Sequence, residues 1–216
     1  GVQGIFTRSL DAALLNHKID IAVHSMKDVP TQLPPGIIQS AVLPRGPVND
    51  LLVFKNGQDF LNEESYQANI ATSSLRRKAQ WLNKYPNHRI HNLRGNVNTR
   101  LRKLSEENWN AAIFAQAGLE RIDLCPENSQ VIDWMLPAPA QGAIMVVCRH
   151  EDNYTLNACR NFNDESTAIC TKIERDFLRT LLGGCSTPIS ALAVIKKDSV
   201  HFRGNILSLE GSKKAS

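Results

Sequence analysis

Four short segments carry residue types and spacings that could do chemistry. The first is Thr72-Ser73-Ser74-Leu75-Arg76-Arg77. A Ser/Thr triplet entering a helix offers hydroxyls, an N-cap and free backbone N–H groups. Two arginines in the first helical turn oppose the macrodipole, a cost that a bound anion would offset. A capped helix with solvent-facing arginines is the plainer alternative. The second segment, Leu93-Arg94-Gly95-Asn96-Val97-Asn98-Thr99-Arg100, repeats the idea with Arg94 at a turn and Arg100 in the next helix. Paired arginines at two neighbouring strand ends suit several anionic groups, as in a polycarboxylate or phosphate ligand. The third, His24-Ser25-Met26-Lys27-Asp28-Val29-Pro30, sets a cation beside a carboxylate just after a strand. Asp28 could serve as a general acid or base, or steady a developing positive charge. An ordinary Asp turn explains the segment equally well when read alone. The fourth, Gly183-Gly184-Cys185, puts a cysteine in a glycine-flanked loop, where access and a lowered pKa would make it a nucleophile. Cys125, Cys148, Cys159 and Cys170 read as inert small hydrophobes.

Charge supports the anion reading. Between Arg76 and Lys103 lie nine basic residues and no acidic one; six of the nine are arginine. The whole chain has 25 basic and 21 acidic residues, so the remainder is acidic, with 16 basic against 21 acidic, a net −5. A field gathered in one place attracts an anion, although a solvated basic face is the common outcome for such runs.

Helices are expected over Thr7 to Asn16, Leu75 to Tyr85, Val97 to Leu104, Gly118 to Ile122 and Glu165 to Leu182. Strands are expected over Ile19 to His24, Ile37 to Leu43, Leu51 to Phe54, Ala68 to Ala71, Arg89 to Leu93 and Ala111 to Ala115. Others follow at Val131 to Leu136, Ala143 to Cys148, Ser190 to Lys196 and Val200 to Leu207. The strand–turn–helix alternation predicts an α/β fold with a mostly parallel sheet, and ligands beyond the carboxyl ends of its strands. Pro44-Arg45-Gly46-Pro47 marks a hinge, and from Asp164 the texture suggests a small α+β unit.

The 216 residues suffice for one large domain or two to three small ones. No apolar run approaches a membrane span. Five cysteines at irregular spacing form no secreted disulfide framework, which favours a reducing compartment. Without C-x-x-C or H-x-x-x-H spacing, no metal site is expected. Nucleotide-binding glycine loops are absent. Trp81 and Tyr85 are too few to make a nucleic-acid stacking platform.

Taken together, Ile19 through Pro30, Thr72 to Arg77, Leu93 to Arg100, Pro137-Ala138-Pro139-Ala140-Gln141-Gly142-Ala143 and Gly183-Gly184-Cys185 resemble the signatures of the porphobilinogen deaminase (hydroxymethylbilane synthase) family, in the family's order. The resemblance implies head-to-tail condensation of four porphobilinogen units, with ammonia released at each step. It implies a dipyrromethane cofactor attached as a thioether to Cys185. Asp28 matches the catalytic aspartate, which would stabilise the cationic azafulvene left when ammonia departs. Lys27, Ser25, Thr72, Ser73, Ser74, Arg76, Arg77 and Arg94 match cofactor contacts. Arg94, Arg100, Arg121 and Gln141 match substrate contacts. The family fold has two periplasmic-binding-protein-like domains around a hinged cleft, plus a small C-terminal α+β domain. Mapped here, domain 1 is residues 1–46 together with 141–162, domain 2 is 47–140, and domain 3 is 163–216. A cytoplasmic monomer with no nucleic-acid or membrane partner is expected.

The chain departs from the family at several points. It opens on Gly1, and the family's N-terminal strand and helix and the end of domain 3 are missing, so a piece of a longer protein is expected. Gln3, Arg8 and Ser9 stand where Lys, Lys and Glu are usual, Gly46 where an acid is common, and Ala71 and Ala140 where glycines are usual. Two rival functions remain: a solute-binding protein for small polyanions in the same hinged cleft, and a nucleic-acid binder.

Overall fold

The computed structural model describes residues 7–181 and 187–216. The chain divides into two compact units. The first comprises the described residues within Gly1–Gly46, Ala138–Cys185 and Ala191–Gly204; the second comprises those within Pro47–Pro137, Ser186–Ser190 and Asn205–Ser216.

The chain enters the first unit through helix α1 (Arg8–Leu15), strand β1 (Ile21–Ser25), a 3-10 turn at Met26–Asp28 and strand β2 (Ile37–Val42). It then builds the second unit from β3 (Asp50–Phe54), β4 (Asn69–Ala71), α2 (Leu75–Lys84), β5 (Arg89–His91), α3 (Val97–Glu106), β6 (Ala111–Ala115), α4 (Gln116–Glu120) and β7 (Ser129–Ile132). It returns as β8 (Ile144–Arg149), α5 (Asn153–Cys159) and α6 (Glu165–Thr180). The strands β9 (Ile189–Lys196), β10 (Ser199–Leu207) and β11 (Lys214–Ala215) form a small sheet in the order β11-β10-β9.

In the first unit β8 lies between β1 and β2, antiparallel to both. Its core gathers Leu14, Met26, Val29, Ile37, Val42, Ala140, Met145 and Val147. The second unit holds a five-stranded sheet, β5-β4-β6-β3-β7. Alternate residues supply two cores. Leu52, Phe54, Ile70, Ala111 and Ile113 pack with Trp81 on one face. Leu51, Val53, Ala71, Ala112 and Phe114 pack with Leu93 and Leu119 on the other. Strands buried on both faces read as continuous apolar runs, as Leu51 to Phe54 and Ala111 to Ala115 do.

The expected α/β class is found, but the sheet is not mostly parallel. Among the described residues only β4–β5 and β4–β6 pair in parallel; β3 pairs antiparallel with β6 and β7. Parallel neighbours need a long crossover. The helices α2 and α3 supply it for β4, β5 and β6. Between β3 and β4 the chain makes only a 3-10 turn at Asp59–Leu61, and α4, between β6 and β7, has five residues. The strand expected over Val131 to Leu136 instead ends at Ile132. Helix α5 and strand β11 were not anticipated.

Ala140 adopts a left-handed φ of 61°, the region that favours glycine. Its N–H donates to Glu174 at 2.6 Å. Glu174, wholly buried, also accepts from the Ala193 N–H at 2.8 Å and takes both arms of the Arg45 guanidinium at 2.7 and 2.9 Å. One carboxylate from α6 thus gathers three segments of the first unit.

Candidate functional site

In the second unit the parallel strands β4, β5 and β6 deliver their carboxyl ends to one edge of the sheet. Thr72-Ser73-Ser74 leaves β4 there, the Arg94-Gly95-Asn96 turn follows β5, and α4, capped at its C-terminus by Arg121, follows β6. The Ser73 hydroxyl accepts from the Leu93 N–H and donates to the Leu93 carbonyl, each at 2.9 Å, stapling the first two loops together. Thr72 is buried, and its hydroxyl accepts from the Ser74 N–H at 3.2 Å. Ser74 caps α2 by accepting from the Arg77 N–H, and Asn96 caps α3 by accepting from the Thr99 N–H at 2.9 Å. Arg94 is exposed; Arg100 is half-buried and donates through Nε to the Gly95 carbonyl at 2.7 Å.

Gly95 makes that turn with φ of 117°, and a Cβ there would lie 2.7 Å from the Thr99 methyl carbon. Gly95→Ala combines backbone strain with a clash. Its expected cost is about 1–2 kcal/mol, read as a lower urea midpoint at unchanged slope. An unchanged midpoint would remove the strain argument.

Arg76 and Arg77 are not solvent-facing. Both are buried, 5% and 7% exposed, and both reach Asp50, which is 0% exposed. Arg76 Nη2 lies 2.6 Å from one Asp50 oxygen and Arg77 Nη2 lies 2.7 Å from the other. Their remaining arms donate to the Leu136 and Ile113 carbonyls at 2.7 and 3.1 Å. Burial pushes the Asp50 carboxyl up, but the two guanidinium groups overcome this and hold it well below the usual carboxylate range. Burial and the neighbouring Arg77 push Arg76 down, while Asp50 opposes them. The macrodipole cost of the arginines is met inside the protein by Asp50. One carboxylate against two guanidinium groups still leaves one net positive charge. The Nε atoms of both arginines are buried with no hydrogen-bond partner among the described residues.

The first unit assembles the other candidates. Ser25 ends β1, and Lys27 and the exposed Asp28 occupy the 3-10 turn. The Met26 N–H donates to the Ala143 carbonyl at 3.0 Å, joining this turn to the Pro137–Ala143 segment. Gln141 in that segment is buried, and its carbonyl accepts from Arg45 Nε at 2.9 Å. Gly183, Gly184 and Cys185 lie outside the described residues, as does Gln3. Among the described residues, no group of three or more His, Cys, Asp or Glu side chains could hold a metal ion. No helix there is long and apolar enough to cross a membrane.

Sequence reasoning missed Asp50, Glu174 and Arg175. Asp50 left a signal: a carboxylate leading directly into the buried run Leu51–Phe54 needs a cationic partner.

The family model described as porphobilinogen deaminase, dipyromethane cofactor binding domain, matches residues 1–157. The chain belongs to the porphobilinogen deaminase family. A second model, the family's C-terminal domain, matches residues 168–216. The chloroplastic porphobilinogen deaminase of Oryza sativa subsp. japonica is 45% identical over 98% of this chain and 60% of its own length. The porphobilinogen deaminase of Syntrophotalea carbinolica is 41% identical over 98% of this chain and 67% of its own length. That of Pelotomaculum thermopropionicum is 43% identical over 99% and 69%. The chain therefore spans about three fifths to two thirds of these relatives. Among solved structures, a probable amino-acid ABC transporter extracellular-binding protein from Bacillus subtilis aligns at TM-score 0.47 and 13% identity, covering 81% of this chain and 75% of that one.

Proposed function

We propose that the chain is part of a hydroxymethylbilane synthase. This transferase condenses four porphobilinogen units on a dipyrromethane primer, releases ammonia and yields hydroxymethylbilane for tetrapyrrole and haem synthesis. The observation that carries the reading is the gathering of Ser73, Ser74, Arg76, Arg77, Arg94 and Arg100 along one sheet edge in a member of this family.

The residues present suit the cofactor. Its pyrroles carry acetate and propionate groups, and the Arg76–Arg77 pair keeps one net positive charge and two unused buried N–H donors. In this proposal Cys185 tethers the dipyrromethane, and Ser25, Lys27, Thr72, Ser73, Ser74, Arg76, Arg77 and Arg94 hold it. When bound, the group supplies a nucleophilic pyrrole carbon. Arg94, Arg100, Arg121 and Gln141 hold the substrate. Guanidinium groups suit this task because their fork matches a carboxylate at two points. They would also disfavour the positive charge that develops on the pyrrole as ammonia leaves. The Asp28 carboxylate supplies the opposing charge.

The three-domain division (residues 1–46 with 141–162, 47–140 and 163–216), a monomeric state, a cytoplasmic location and the lack of a nucleic-acid partner belong to the same proposal.

Intact-mass spectrometry of freshly made, full-length protein tests the reading. The expected result is a covalent dipyrromethane adduct that Cys185→Ser abolishes together with ammonia release. Unmodified thiol in the parent, or an adduct surviving in Cys185→Ser, would overturn it. Reversible polyanion binding without ammonia release would favour a solute-binding protein instead.

A further inference from the structure

We propose that Arg175 is the positioning residue for Asp28; the inference rests on the catalytic reading of Asp28 given above. Arg175 lies on α6, and its guanidinium reaches the turn that carries Asp28. Nη1 donates to the Met26 carbonyl at 3.1 Å and to the Val29 carbonyl at 2.9 Å. Nη2 donates to the Pro30 carbonyl at 2.6 Å. These carbonyls bracket Lys27-Asp28 on both sides.

Little else in this segment is regular. The β1–β8 ladder ends at Ser25. Beyond it the backbone makes the Met26 N–H bond to Ala143 and a Val29 N–H bond to Met26 at 3.2 Å. Pro30 has no N–H to offer. Met26 and Val29 anchor the turn by burying their side chains, while Asp28 points a charge outward from an exposed position.

Three carbonyl dipoles converging on one cation make charge-assisted bonds, stronger than neutral ones. The planar fork also imposes a direction that a lysine ammonium, a point charge, does not. Arg175 therefore fixes where the Asp28 backbone sits. A catalytic group displaced by about 1 Å can lose about 10²-fold in rate.

A double-mutant cycle on the full-length holoprotein tests this. Arg175→Gln is expected to lower kcat for porphobilinogen about 30-fold, within that range, with KM changed less than about twofold. In an Asp28→Asn background the same substitution should cost less than about threefold, because no carboxylate remains to be placed. Amide deuterium exchange across Met26–Pro30 should rise in Arg175→Gln while β8 keeps its protection. Arg175→Lys should resemble Arg175→Gln, and it carries the same test if the glutamine variant does not fold. Equal losses in both backgrounds, or unchanged exchange over Met26–Pro30, would overturn the assignment. A parent protein with neither adduct nor ammonia release would defeat the catalytic reading instead, while the exchange experiment still judges the placement of the turn.

Discussion

In full-length protein, Asp28→Asn is expected to cut ammonia release from porphobilinogen by about 10³-fold, or about 4 kcal/mol of barrier. The unfolding midpoint should hardly move. Asp28 is exposed, and the amide matches the carboxylate in shape, so packing is undisturbed. Three backbone carbonyls of its turn stay pinned by Arg175, so the side chain keeps its place. Only the charge is lost, and with it, in the proposed mechanism, the group that opposes the developing cation. Substrate affinity should change little, because in this reading the guanidinium groups carry it. Turnover and thermal unfolding measured side by side decide the matter. Near-parental turnover, or a parallel collapse of both properties, would remove Asp28 from the role.

Asp50→Asn is expected to do the opposite: leave the surface intact and destabilise the second unit by about 5 kcal/mol, the upper end for breaking a buried ion pair. The amide leaves two guanidinium groups buried side by side with no counter-charge, and Arg77 already disfavours the charged form of Arg76. The parent should show the acid signature of this carboxylate. Its folded pKa is depressed, so the unfolded chain takes up the proton first as pH falls. The stability it contributes is complete above the ordinary Asp pKa of about 3.9 and drains away as pH falls from there towards the folded value. Asp50→Asn should flatten the melting-temperature profile below about pH 4.5, where that linkage operates. A variant as stable as the parent, or an unchanged acid limb, would show that Asp50 is not the keystone of the arginine pair.

The α/β class was legible because apolar runs at Leu51–Phe54 and Ala111–Ala115 and the Ser/Thr triplet that caps α2 at Ser74 mark elements locally. Strand direction was less legible. It depends on how each connection folds, and the Lys55-to-Ala68 link contributes no full crossover helix. The arginine window advertised positive charge, yet where two of its guanidinium groups point was settled by Asp50, some 26 residues upstream of Arg76. Long-range pairing of this kind leaves no spacing rule. Glu174 and Arg175 were invisible for the same reason: inside a helical pattern a charged pair looks like a solvated face, whereas Glu174 is wholly buried.

Those two neighbours give α6 the character of a keyed shaft. Side chains one residue apart on a helix point about 100° apart. Here the anion turns towards two amides and Arg45, and the cation turns towards three carbonyls. Deleting a single residue upstream within α6 would bring Arg175 to the carboxylate's socket and Asp176 to the guanidinium's, the wrong sign in each. The length of this helix is therefore as constrained as its composition.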